Sequence, residues 1–262
     1  MTTTTMPAVF YGHGSPMNAL GGPYAEAWRA LGRDLPKPKA ILMVSAHWET
    51  NGGTAVTAMP RLRTIHDFGG FPQALFDMQY PAPGSPELAA RVRALAGLEG
   101  VVADEAWGLD HGTWSVLVHS YPDADIPVIQ LSMDRALSPR QHYELGKRLR
   151  PLRDEGVLIA GSGDIVHNLR QMRRDGSNEP FDWAIRFDAA VKAALTEHDH
   201  ERLIALADPA GPAGDDARLA ADEHFLPMLY VAAQQDPGES LRFFNESIDV
   251  GSISMTGAVI GG

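Results

Sequence analysis

With 262 residues and no cysteine, the chain is long enough to bury a core of its own, and thiol nucleophiles, thiolate metal sites, iron–sulfur clusters and disulfide frameworks are excluded together. Its 33 acidic and 22 basic residues leave a net charge of −11, a field that repels polyanions and argues against nucleic acid or an anionic membrane as partner. No apolar run nears the ~20 residues of a membrane helix, and Met1–Thr5 has neither the basic start nor the apolar stretch of a signal peptide, so the cytoplasm is the expected compartment.

In chain order, short apolar runs predict strands at Ala8–Tyr11, Ala40–Ser45, Thr54–Ala58, Ile126–Leu131 and Val157–Ala160. Each is apolar on consecutive positions, as in a sheet covered on both faces. Helices are predicted at Tyr24–Leu35, from the Ser85 cap and Pro86, at Asp182–Thr196 and at Asp222–Gln234. Another starts at Ser138-Pro139-Arg140-Gln141, a capping box with proline at the first helical position, and is expected to run to Glu155 and stop at Gly156. The linker-like Asp208–Asp215 is too short to divide the chain, and Leu241–Ile260 suggests late strands of undetermined direction. The alternation predicts a three-layer α/β/α single domain over residues 1–262, with a central, mostly parallel or mixed sheet.

Three of the ten histidines fall just past predicted strands: His13 in Gly12-His13-Gly14, His47 in Ser45-Ala46-His47-Trp48, and His167 after Val157–Ala160. Ligands of open α/β sheets bind at those carboxyl ends, where residues distant in sequence converge. His224 and His111 are placed to join them, whereas His66, His119, His142, His198 and His200 sit in contexts that suggest structural roles. Imidazoles in a cysteine-free chain are the natural borderline metal ligands and proton carriers. Glycines beside His13, His111 and in Gly161–Gly163 suit either positive-φ turns or close backbone approach. Trp48, Trp107, Trp114, Phe68, Phe71 and Phe225 are candidates to wall a flat apolar slot, the alternative being ordinary core. Ser15, Ser45 and Ser162 are weaker candidates for nucleophiles beside a histidine. The sequence has no HExxH, no phosphate-loop motif and no G-x-S-x-G elbow.

Seven ordered segments together carry a resemblance: Gly12–Met17, Ile41–Trp48, Asp67–Pro72, Tyr80–Gly84, Gly108–Trp114, Leu152–Asn168 and Glu223–Pro227. Across residues 7–258 the chain resembles the class III extradiol ring-cleaving dioxygenases, in the branch similar to DOPA 4,5-dioxygenase. The resemblance implies a sheet flanked by helices and one mononuclear non-haem metal ion. It implies His13, His47 and His224 as metal ligands, and His167 as a further ligand or the active-site acid/base. His111 is implied as a substrate contact and is read as donor to a substrate oxygen; of the aromatic residues above, Trp48 and Phe68 are the candidates to bind the substrate. The expected cofactor is one divalent ion, Fe(II) for activity with Zn(II) also suited to the site; the expected partners are a small catechol and O2. A homo-oligomer stays open at this level. The position of the family's carboxylate ligand holds His224 here, preceded by Glu223. Asp164 stands where the family pattern has Asn, and Arg218–Asp222 lacks an expected proline–threonine pair. A zinc-dependent hydrolase using Glu223 as base and a non-catalytic metal-binding protein are the competing readings.

Overall fold

The consecutive apolar runs form the middle of an eight-stranded sheet in a computed structural model that describes residues 5–97, 100–208, 211, 214–220 and 223–262. The strands are β1 (Ala8–Gly12), β2 (Ala40–Thr50), β3 (Thr54–Thr57), β4 (Val101–Asp104), β5 (Val128–Asp134), β6 (Val157–Gly163), β7 (Leu241–Phe244), β8 (Ile248–Asp249), β9 (Ile253–Ser254) and β10 (Gly257–Ile260). Their order in the main sheet is β4-β3-β5-β2-β6-β1-β10-β7, and β8 and β9 pair separately. The central strands β5, β2, β6 and β1 are mutually parallel, so their carboxyl ends share one rim. β3 is antiparallel to β5, and β10 to both β1 and β7, which makes the sheet mixed.

The helices are α1 (Ala25–Asp34), α2 (Gln73–Phe76), α3 (Pro86–Ala96), α4 (His111–Ser120), α5 (Pro139–Leu149), α6 (Pro151–Asp154), α7 (Asp182–Thr196), α8 (His200–Leu206), α9 (Gly214–Ala220) and α10 (Leu226–Ala232). Alternation along β2 divides the core between them. Ile41 and Met43 pack with Trp28 of α1 and Trp114 of α4, whereas Leu42 and Val44 pack with Val92 of α3, Leu145 of α5 and Tyr230 of α10. On the latter face α7 to α10 cover β1 and β10 through Phe10, Phe187, Leu203, Ala217 and Met228. Three layers result, as the alternation of elements predicts.

Several boundaries differ from the sequence reading for identifiable reasons. β2 continues to Thr50 beyond the expected stop at Ser45, with a register shift between Val44 and Glu49. His47 therefore lies within an irregular stretch of strand and not past its end. The helix expected to reach Glu155 divides at Arg150, because Pro151 has no N–H to continue it and its ring suits the first turn of α6. Asp222, the expected start of the last helix, lies outside the described residues, as do Pro209, Ala210, Pro212 and Ala213 of the linker-like stretch. The described chain resumes with a 3₁₀ turn, Glu223–Phe225, before α10. The late strands are antiparallel to their partners.

Candidate metal centre and active site

The rim of the parallel strands gathers the histidines. β1 delivers His13 directly after Gly12, and the bulge of β2 re-aims His47, as bulges beside functional sites do. α4 begins at His111, capped by the Asp110 side chain on Thr113 N, and the 3₁₀ turn supplies His224. Glycines admit this crowding. A Cβ on Gly112 would stand 2.6 Å from Ser45 Oγ and 2.9 Å from His47 Cδ2, and one on Gly163 would stand 2.0 Å from the His224 carbonyl oxygen. Close approach explains both positions, while Gly14, at φ +59°, also needs the left-handed region.

His13, His47 and His224 form a nearly equilateral group, with ring centroids 5.0 Å apart for His13–His47, 5.4 Å for His13–His224 and 5.0 Å for His47–His224. The His111 ring lies 3.9 Å from that of His47. Donor atoms of His13, His47 and His111 all lie within 4.8 Å of one another, and so do those of His13, Asp164 and His224. His13 is thus common to both sets.

Hydrogen bonds fix the tautomer of His13. Ser162 Oγ donates to the Gly112 carbonyl at 2.6 Å, so its contact with His13 Nδ1 at 2.9 Å is one in which the ring N–H donates. His13 Nε2 then keeps its lone pair and faces His47 Nε2 at 3.1 Å. Two nitrogens bound at ~2.0–2.1 Å to a tetrahedral ion would be about 3.3 Å apart. The pair therefore fits a metal ion with little movement. Burial, followed by the imidazoles of His47, His224, His111 and His167, holds the His13 pKa well below its ordinary value. His47 is also held low, by burial and then by His111, His224 and His167. Neutral imidazole is the metal-binding form.

Asp67 borders the same group. Its Oδ1 accepts from His111 N at 2.9 Å, its Oδ2 accepts from His111 Nδ1 at 2.9 Å, and Oδ2 stands 3.5 Å from His47 Nδ1. Burial works to raise the Asp67 pKa, but hydrogen bonds and charge from His111 outweigh it and the carboxyl sits below its ordinary value. Beneath α4, buried Asp110 accepts from Ser45 Oγ at 2.7 Å and Gln130 Nε2 at 2.7 Å. Burial and then the charge of Asp67 push its pKa up, partly offset by those bonds.

The other predicted residues divide. His167, half-buried, belongs to neither donor set; its ring stacks on His224 with centroids 3.5 Å apart. Phe68 meets His111 edge-on at 5.6 Å and joins Phe71, Phe76 and Trp114 in an aromatic wall. Trp48 is buried and stacks on Trp107 at 5.4 Å. Phe225 is core, against Phe187. Ser15 caps a 3₁₀ turn, Ser45 donates to Asp110, and Ser162 passes its proton to a carbonyl, the reverse of a serine nucleophile facing its base. Glu223 Oε1 stands 3.4 Å from His224 Nδ1, so it engages that ring. Four of the remaining histidines hydrogen-bond away from the site: His66 to the Met78 carbonyl, His119 to the Asn18 carbonyl, His142 to the Tyr230 hydroxyl and His200 to Tyr143 and Gln235; His198 is exposed.

Sequence reasoning did not assign roles to Asp67, Ser162 or Asp110 around the rings. Asp110 carried the usable signal, an acidic residue at the N-cap position before a helix that begins with histidine. Asp67 and Ser162 act across 44 and 149 residues, and local spacing cannot reveal such pairs.

Residues 8–250 match the family described as the catalytic LigB subunit of aromatic ring-opening dioxygenase. The chain is 48% identical over 263 residues to a 4,5-DOPA dioxygenase extradiol of Escherichia coli (strain K12), covering 100% of this chain and 97% of the relative. It is 39% identical over 257 residues to a protein of the same name from Beta vulgaris, covering 94% and 92%. A crystal structure of an uncharacterised Escherichia coli K12 protein superposes with a TM-score of 0.83 at 42% identity, covering 98% of this chain and 100% of that one. The chain belongs to the LigB family of aromatic ring-opening dioxygenases.

Proposed function

We propose that residues 1–262 form one catalytic domain that opens the ring of a DOPA-like or related catechol by extradiol cleavage with O2. The observation that carries this reading is the convergence of four imidazoles, with His13 Nε2 and His47 Nε2 facing each other at 3.1 Å beside His224 and His111. The names of the relatives from Escherichia coli and Beta vulgaris support the substrate class.

His13, His47 and His224 are the residues that would hold one divalent ion, Fe(II) for turnover, in a donor set that also accepts Zn(II). That ion, when bound, would lower the pKa of a catechol hydroxyl and make electron density available to oxygen. His111 has its Nδ1–H on Asp67, which leaves its Nε2 edge for hydrogen bonding with a substrate oxygen. His167, half-buried with its ring stacked on that of His224, is assigned the second phenolic proton, which it returns as the ring opens. Phe68, edge-on to His111, gives the aromatic ring an apolar wall.

Anaerobic loading with Fe(II), followed by O2 and a panel of catechols, tests the proposal. It predicts coloured ring-opened semialdehydes from at least one DOPA-like member; no product from any catechol contradicts it. His167→Ala is expected to retain the metal and lose most turnover, read by metal analysis beside the rate. Loss of the metal in that variant would make His167 a ligand.

A further inference from the structure

Asp67 occupies a position that neither the family match nor the names of the relatives address. It lies on the loop that also carries Phe68, so one short segment both walls the site and contributes a carboxylate to it. That carboxylate is bound at both oxygens. Oδ1 takes the backbone N–H of His111, which anchors the loop to the first residue of α4. Oδ2 takes His111 Nδ1 at 2.9 Å and stands 3.5 Å from His47 Nδ1, on the side of each ring away from Nε2. With His47 Nε2 directed at His13 Nε2, a proton on His47 Nε2 would occupy the space where an ion is to bind. A proton on Nδ1 clears it, and an acceptor-only carboxylate favours that tautomer.

We infer that Asp67 is a positioning residue that accepts the Nδ1–H of both His47 and His111, so that one carboxylate turns two Nε2 atoms toward the same centre. The inference rests on the ring-opening reading only in naming the ion's purpose; the tautomers and the metal affinity are measurable without turnover. Asp67 acts through the two rings and touches no reacting atom. Its partner rings have different tasks, one as a ligand and the other beside the substrate, so its removal affects metal binding and proton handling together. Ser162 performs the corresponding service for His13 with a hydroxyl.

The test is proton NMR of the zinc-loaded full chain, with ¹⁵N-labelled histidine rings, for wild type and Asp67→Asn. Wild type is expected to show downfield, exchange-protected Nδ1–H signals for both His47 and His111. In Asp67→Asn both should move upfield and exchange faster, while zinc affinity measured by chelator competition falls about 10–100-fold. Either signal remaining in place, or unchanged affinity, overturns the inference. If Asp67→Asn does not fold, wild type alone decides: absence of a protected Nδ1–H at either ring overturns it and presence of both supports it. A wild type with both protons in place that opens no catechol would refute the proposed function and leave the role of Asp67 standing.

Discussion

Ser162 shows how much of the site depends on residues that contact no ligand. Its hydroxyl hydrogen is committed to the Gly112 carbonyl, which leaves its oxygen to receive the His13 ring N–H. Ser162→Ala leaves two buried polar groups without that partner, at a cost of about 1–3 kcal/mol each. It also frees His13 to place its proton on Nε2. Zinc affinity should fall about 10–100-fold, measured by competition with a chelator, with a cooperative unfolding transition retained; wild-type affinity in the variant would contradict the tautomer argument. That His13 comes to this rim was legible because it directly follows an apolar run that forms a parallel strand, a position local sequence marks; His47, within β2, His111, at a helix start, and His224, in a 3₁₀ turn, join it from positions that strand ends alone do not mark. Asp67 and Ser162 were not legible as partners, because each becomes significant only when a distant strand or helix is laid beside it.

At the scale of elements, tertiary packing overrode local signals in definable places. α4 gives no amphipathic period because nearly all of it is buried, so Asp110-His111-Gly112 reads as a loop until the sheet and α1 are seen on either side. β4 escaped notice as a short edge strand with Val102 exposed, while Asp182–Thr196 forms where predicted, with Phe187, Val191 and Leu195 on its buried face. Gly112 supports a direct test of the helix–site junction. The alanine methyl would meet Ser45 and His47, so Gly112→Ala should destabilise the protein by about 1–3 kcal/mol and lower metal content; an unchanged Tm with full metal would contradict the packing argument. The β8–β9 turn predicts the opposite sign. Val250 has φ +45° before Gly251 at φ +84°, a conformation that suits Asn-Gly and disfavours a β-branched residue. Val250→Asn should stabilise by about 1 kcal/mol, seen as a raised Tm, and a lowered Tm would contradict it.

Between α5 and α10, His142 is fully buried against the Tyr230 hydroxyl. Burial lowers its pKa to about 4, with the charge of Asp134 opposing. An unfolded chain takes up this proton near pH 6.5 and the folded one only near pH 4, so the contribution to stability is complete above pH 6.5 and is lost as pH falls through 4. The full loss amounts to about 3 kcal/mol. Urea midpoints of the metal-free protein at pH 7 and pH 4.5 should differ less in His142→Gln than in wild type; an equal difference would remove His142 as the source.

Across the whole molecule, four parallel strands and the helices on their two faces bring residues 13, 47, 111 and 224 to one rim. The order of elements and the three layers followed from apolar runs and caps. The reversed strands at both edges did not, because direction depends on how long connections return over the surface. Among the described residues no helix is long and apolar enough to cross a membrane. Fold and chemistry meet in the claim that imidazoles from distant parts of the chain share one ion. Elemental analysis of the purified protein, alongside His13→Ala and His47→Ala variants whose folding is checked by circular dichroism, tests this most directly. The account predicts one divalent ion per wild-type chain and near-complete loss in both folded variants; a full complement of metal in either would contradict it.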